Sequence, residues 1–142
     1  MRTIKFNNNG ISPGIKDKKE LKTFLISIFS SENVGFQSVS YIFCRDGFLL
    51  SLNKKFLNHN TYTDIITFSL SPMERPVSAE IYISVERIQE NATSLAVNYQ
   101  EELLRVMIHG ILHLCGFSDH TNAEKKVMRE KENFYLSKYG FT

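Results

Sequence analysis

The twelve residues HGILHLCGFSDH, from His109 to His120, contain three of the four histidines of this chain. His109 and His113 lie four residues apart, so on an α-helix their Cα atoms differ by about 40° around the axis and about 6 Å along it. Both imidazoles then leave the same face of the helix. A fixed pair of imidazoles supplies two of the ligands of a tetrahedral Zn²⁺ site, so the spacing predicts a metal centre.

The same stretch has the apolar pattern of a largely buried helix that begins near Gln100. Its apolar positions are Leu103, Val106, Met107, Ile108, Ile111, Leu112 and Leu114. Gly116 follows the last apolar turn and favours the left-handed conformation that ends helices, so the chain can fold back toward the histidine face. Thr121 and Glu124 have the spacing of a capping box, which predicts the start of a last helix. The apolar positions of that helix include Val127, Met128 and Phe134.

His120 is the predicted third metal ligand, because it lies within reach of a chain that returns from Gly116. Since imidazole binds metal only when it is neutral, metal affinity is expected to fall on acidification. A structural zinc would need four protein ligands, commonly thiolates; Cys115 would point away from the histidines, whereas Cys44 stays open as a fourth ligand. Three ligands with an open position is the simpler arrangement, and it is the catalytic one.

Length and composition predict one ordinary globular domain spanning residues 1–142. The chain is 42% apolar and 23% charged, and its formal net charge of +2 neither demands nor excludes nucleic acid as a partner. Its first residues, MRTIKFNNNG, lack the apolar core of a signal peptide, and no run approaches the about 18 apolar residues of a membrane span. Two cysteines without a pairing pattern fit a reducing compartment, so we expect a cytoplasmic protein with no membrane contact.

Alternating apolar residues and capping residues divide the rest of the chain into strands and helices. The predicted strands are residues 3–6, 39–43, 65–68 and 77–83, with a turn at residues 46–47 after the second and a hairpin turn at residues 72–76 between the last two. Helices are predicted after Asp17, over residues 49–56, and after Ser84 with Ile88, Ala92 and Leu95 facing inward. Strands interleave with helices early and helices cluster late, which predicts an α+β fold with a mixed sheet.

Three segments together match the motifs of a known family. The pattern His-Gly-x-Leu-His-Leu-x-Gly, followed by an aromatic residue and Asp-His, is met by His109, Gly110, Leu112, His113, Leu114, Gly116, Phe117, Asp119 and His120. The second family segment is matched by Leu52, Asn53, Phe56, Thr63, Asp64, Ile65 and Phe68. The third is matched by Ala79, Glu80, Ile81, Ile83 and Ser84. On these residues the chain resembles the YbeY-type metal-dependent endoribonucleases, which mature ribosomal RNA in bacteria.

The chain departs from the family pattern at two positions. Ser118 is one residue more than the family has between its second and third histidines, so Asp119 occupies the spacing where a histidine is expected. Because a carboxylate is also a competent zinc ligand, either a bulge delivers His120 or the site is His109, His113 and Asp119. Leu57 stands where the family usually has an arginine implicated in nuclease activity, which counts against cleavage.

The resemblance implies a single-domain zincin-like fold and one Zn²⁺ ion held by His109, His113 and His120. It also implies cleavage of single-stranded RNA in ribosomal RNA maturation, with ribosomal RNA or a ribosomal subunit as the partner. The alternative is a ribosome assembly factor that binds without cutting and whose metal is mainly structural. A third possibility, a hydrolase of small substrates, predicts a closed apolar pocket over the metal instead of an open groove.

Two residues near His109 in the sequence limit the reactions that the predicted site can catalyse. Zinc proteases place a glutamate directly after the first histidine, and Gly110 at that position argues against a protease. Arg105 lies one turn before His109 and is predicted to pair with Glu101 or Glu102 rather than to bind phosphate.

Overall fold

A four-stranded mixed sheet forms the centre of the fold. The structure is a computed structural model that describes residues 2–72 and 76–141. Its strands are β1 (Thr3–Asn8), β2 (Phe36–Cys44), β3 (Ile65–Ser69) and β4 (Val77–Ser84). They lie in the order β1, β2, β4, β3, with β1, β2 and β4 parallel and β3 antiparallel to β4. The predicted pairing of the last two strands is confirmed; residues 73–75 of the predicted turn between them lie outside the described residues.

Five helices accompany the sheet within the same residue ranges. They are α1 (Lys18–Ser31), α2 (Asp46–Leu57), α3 (Val85–Leu95), α4 (Tyr99–Leu114) and α5 (Asn122–Tyr139). The predicted caps are confirmed, because Asp17 and Ser84 accept hydrogen bonds from the first turns of α1 and α3, and Thr121 and Glu124 exchange both bonds of a capping box. None of these helices has the length and apolar character needed to cross a membrane. The predicted α+β fold with a mixed sheet is confirmed.

The two faces of the sheet are covered unequally. Val39, Tyr41 and Phe43 occupy alternate positions on β2 and pack into the main core, which is completed by α1, α3, α4 and α5. The opposite face carries a second, small cluster in which Leu49 of α2 packs on Cys44 and Ile66. One face is therefore the core, and the other is covered only where α2 crosses it.

Two local predictions were wrong: the turn at residues 46–47 and the inward position of Leu95. Residues 46–47 are the start of α2 and not a turn, because the Asp46 N–H donates to the Glu86 carboxylate at 2.8 Å and the Arg87 guanidinium donates to the Asp46 carboxylate at 2.7 Å. Leu95 is 59% exposed at the end of α3. In α5 Met128 is buried, whereas Val127 and Phe134 are about half exposed and Tyr135 and Leu136 complete the inner face.

Gly110 allows α4 to lie directly against the sheet. A Cβ atom at this position would lie 3.0 Å from the side-chain tips of Ile65 and Ile81, and the Tyr41 hydroxyl donates to the Met107 carbonyl at 2.8 Å. The position that follows the first histidine therefore faces the hydrophobic core and has no room for the catalytic glutamate of a zinc protease. This close packing fixes the height of α4, and with it the two histidines, above β3 and β4.

Candidate metal centre

His109 and His113 project from the last two turns of α4 toward a common point. Their Nε2 atoms lie 2.9 Å apart, and the ring planes are nearly perpendicular, at 84°. Asn98 caps the start of this helix by accepting hydrogen bonds from the N–H groups of Gln100 and Glu101. The predicted shared face of the two histidines is confirmed.

Asp119 brings a third donor atom to the same point from the loop after α4. Its Oδ2 atom lies 3.3 Å from Nε2 of His109 and 3.4 Å from Nε2 of His113. The loop turns back because Gly116 has a φ of +101°, as predicted, and the N–H of Phe117 donates to the Leu112 carbonyl. These three residues form the one group of potential metal ligands within residues 2–72 and 76–141.

His120, the predicted third ligand, is exposed and lies outside that group. It lines the same cleft as the two helical histidines, directly before the cap of α5. The structure thus brings His109 and His113 together with the carboxylate that the sequence left as the alternative. Cys44, the other residue left open, is buried and its thiol donates to the Ile83 carbonyl.

Hydrogen bonds determine which nitrogen of each ring carries its proton. His113 Nδ1 lies 2.9 Å from the Phe117 carbonyl and His109 Nδ1 lies 2.7 Å from Oε2 of Glu132, and both of these partners are acceptors. Each Nδ1 must therefore donate, which leaves both Nε2 lone pairs free in the neutral rings. Two nitrogen lone pairs and a carboxylate oxygen then converge without a proton between them.

This donor set suits a cation of the size and preference of zinc. In a tetrahedral site with bonds near 2.0–2.1 Å, ligand atoms lie roughly 3.3 Å apart. The three edges of the donor triangle measure 2.9, 3.3 and 3.4 Å. Histidine nitrogen and carboxylate oxygen are both zinc ligands, so the residues present fit a three-coordinate protein site.

Glu132 on α5 is a site residue that the sequence analysis did not identify. Its side chain is 6% exposed and contacts Nδ1 of His109, the Arg105 guanidinium at 3.1 Å and the Arg129 guanidinium at 3.8 Å. Arg105 therefore pairs with Glu132 and not with Glu101 or Glu102 as predicted. Its position in the sequence could have indicated this role. Glu132 lies four residues after Met128 and three before Tyr135, so on a helix it shares their inner face, where an acidic residue needs a partner.

The donors lie between two cavities of different character. A cavity of about 390 Å³ on the α5 side contains Arg105, Glu132 and Arg129. A wider cleft of about 720 Å³ opens on the other side, toward α2 and β3, and its lining includes Asn53, His59, Thr61, Thr63 and Leu57. This second opening is an open groove with both polar and apolar walls, and not the closed apolar pocket expected of a hydrolase of small substrates.

Asp64 lines both cavities and lies beside the donor set. Burial raises the pKa of the Asp64 carboxyl group above its usual value, and the nearby His109 and Arg87 charges offset only part of this rise. The Asn91 amide donates to Oδ2 of Asp64 at 3.4 Å, and the Ser84 N–H donates to the backbone carbonyl of Asp64. The position matches one of the family segments of the sequence.

Metal affinity is expected to fall on acidification. Burial lowers the pKa of His109, but the hydrogen bond to Glu132 and the charges of Glu132, Asp119 and Asp64 raise it more, so the net pKa without metal lies above 6.5. Below this raised pKa, protons compete with zinc for the His109 imidazole. The zinc dissociation constant should therefore rise about tenfold for each further unit that the pH falls. Competitive zinc titrations between about pH 8 and about pH 5.5 measure this; an affinity that stays constant over that range would contradict the ligand role of His109.

Comparisons with known proteins agree on one family. The model of the family described as endoribonuclease YbeY matches residues 5–140. A protein named endoribonuclease YbeY from Flavobacterium psychrophilum is 43% identical over 119 residues, or 84% of each chain. Its namesake from Cytophaga hutchinsonii is 39% identical over 135 residues, covering 95% of this chain and 94% of the relative. The solution structure of TM1509 from Thermotoga maritima superposes with a TM-score of 0.69 at 30% identity, covering 95% of this chain and 87% of the other.

Proposed function

Because this chain belongs to the endoribonuclease YbeY family, we propose that it is a zinc-dependent endoribonuclease that cleaves single-stranded RNA during ribosomal RNA maturation in the cytoplasm. The observation that carries the proposal is the convergence of two histidine nitrogens and a carboxylate oxygen at the edge of an open groove. A groove admits a long polymer, whereas a closed pocket selects a small ligand. Ribosomal RNA or a ribosomal subunit is the partner that the family implies.

The ligands of the proposed ion are His109, His113 and a third donor from the loop after Gly116. The placement of Asp119 Oδ2 within 3.4 Å of both histidine nitrogens supports Asp119 in that role. His120 stays a prediction, since it lines the cleft and would need the loop to rearrange before it could bind the same ion.

The bound ion would supply a Lewis acid for a phosphoryl oxygen and a water whose pKa is lowered toward about 7. The protein holds the two ligand rings in one tautomer, through the Glu132 carboxylate for His109 and the Phe117 carbonyl for His113. Asn53 supports the wall of the groove, because it is buried and its amide donates to the Thr61 carbonyl at 2.8 Å.

A non-cleaving ribosome assembly factor remains the second candidate, and Leu57 favours it. This residue lines the groove where the family usually has an arginine, and it is 43% exposed. An arginine guanidinium can bind two oxygens of a phosphodiester at once, and the Leu57 side chain cannot. The metal would then mainly hold the loop after Gly116 to α4.

Incubation of purified protein with single-stranded RNA, with and without a chelator, tests the two candidates. The endoribonuclease predicts fragments of defined ends that disappear with chelator and return when zinc is restored. Elemental analysis of the purified protein should find one zinc per chain. RNA binding without metal-dependent cleavage would remove the enzyme proposal and leave the assembly factor.

A further inference from the structure

Four aromatic rings form a continuous row on the outer face of the sheet. Phe48 and Phe56 come from α2, and Phe68 and Tyr82 come from β3 and β4. Neighbouring ring centroids are separated by 6.2 Å for Phe48 and Tyr82, 5.8 Å for Tyr82 and Phe68, and 5.8 Å for Phe68 and Phe56. We call these four residues the α2 aromatic row.

The α2 aromatic row is open to solvent and leads into the groove of the metal centre. Phe48 is 41% exposed and Phe56 is 57% exposed. Leu57, which follows Phe56 at the end of α2, and Tyr62 are also exposed, and both line the groove. A contiguous exposed apolar surface of this kind marks an interaction site.

The charges along the row suit a polyanion. Lys55 places its Nζ atom 5.3 Å from the centroid of the Phe56 ring, and Lys54 precedes it in the last turn of α2. Two acidic groups near the row are already engaged: Glu80 accepts a hydrogen bond from the Tyr82 hydroxyl at 3.3 Å, and Asp46 at the start of α2 pairs with Arg87. The groove end of the row therefore combines planar apolar faces with two ammonium groups, the features that bind single-stranded nucleic acid by stacking and by phosphate contacts.

We propose that the α2 aromatic row is a base-stacking surface, and that Phe56 stacks on a base of the single-stranded RNA whose backbone enters the groove at the metal centre. This inference rests on the proposed RNA substrate and specifies where the strand lies outside the metal centre. Stacking is tolerant of sequence because every base has a planar face. Phe56 is thereby a binding residue, separate from the metal ligands.

A tryptophan at position 56 provides a direct reporter, since the chain contains no tryptophan. The fluorescence of the Phe56→Trp variant should be quenched by a 2′-O-methylated oligoadenylate of about ten nucleotides. An abasic oligonucleotide with the same number of phosphates should leave it unquenched. The matched control is Phe134→Trp on α5, because Phe134 is 50% exposed and has the Lys138 ammonium 4.7 Å from its ring centroid, yet lines neither cavity of the metal centre.

Affinity gives an independent measurement. Phe56→Ala should bind the oligoadenylate about 5- to 100-fold more weakly than the parent protein. Its binding to the abasic strand, and the binding of Phe134→Ala to either strand, should equal those of the parent. Since Phe56 is more than half exposed, the thermal midpoint of Phe56→Ala should stay close to that of the parent, which checks that the variant is folded.

Equal quenching of both reporters, or unchanged oligoadenylate affinity in Phe56→Ala, would overturn the proposal. So would self-association of the parent that Phe56→Ala abolishes, because the row would then be a contact between copies of the chain. Base-dependent quenching in a protein that never cleaves RNA would support the stacking surface while refuting the endoribonuclease, so the two failures are distinguishable.

Discussion

Replacing His113 with alanine is expected to abolish zinc binding and metal-dependent RNA cleavage together. The side chain supplies one of the three converging donor atoms, and its loss leaves two, too few to hold a catalytic zinc. The measurement is zinc per chain by elemental analysis, combined with cleavage of single-stranded RNA. His59→Ala is the matched control for zinc content, which it should retain, because His59 lines the same groove but lies outside the group of potential ligands. Full zinc content in His113→Ala would refute the proposed metal centre.

The same assays distinguish the two candidates for the third ligand. Asp119→Ala should lose zinc as His113→Ala does, since its Oδ2 atom lies within 3.4 Å of both ligand nitrogens. His120→Ala should retain zinc, because the His120 side chain is exposed and outside the donor group. The reverse pattern would show that the loop rearranges around the ion and that His120 is the ligand.

Replacing Glu132 with glutamine is expected to lower both stability and zinc affinity. The carboxylate is 6% exposed and is shared by the His109 ring and the Arg105 guanidinium, which is itself 17% exposed. Removal of one partner of a buried ion pair leaves an uncompensated charge and costs about 3–5 kcal/mol. Loss of the carboxylate that orients a ligand histidine weakens metal binding by about 10- to 100-fold.

Chemical denaturation of the metal-free protein and zinc titration measure these two effects separately. Glu130→Gln is the matched control, since Glu130 lies two residues earlier on α5 and is exposed. In the double variant Arg105→Met with Glu132→Gln, stability should recover because the unpaired cation is gone, whereas zinc affinity should stay low. Recovery of both would show that Glu132 stabilises the fold without orienting His109.

Local sequence patterns were sufficient to predict the framework of the candidate metal centre. The four-residue spacing of His109 and His113 on an amphipathic helix fixed their common face, and Gly116 with the Thr121 capping box fixed the return of the chain and the start of α5. Each of these features is an interaction between residues a few positions apart. The α+β fold followed from the same periodicities, and it is confirmed.

Errors arose where distant segments compete with local preference. Residues 46–47 have the composition of a turn, but contacts with Glu86 and Arg87 about forty positions away begin a helix there. Leu95 has the spacing of an inward residue on α3, but it is the last residue of that helix and is 59% exposed.

The sequence by itself determined that two imidazoles share one helix face and that a donor returns to them, because helix geometry and glycine conformation are local properties. Only the tertiary structure decided that Asp119 lies at the donor triangle and that Glu132 fixes the His109 tautomer. It also brought Phe68 and Tyr82 beneath Phe56 and Phe48 to make the α2 aromatic row. The reason is physical: these contacts join separate elements, and their distances depend on how α2, α4 and α5 pack around the sheet.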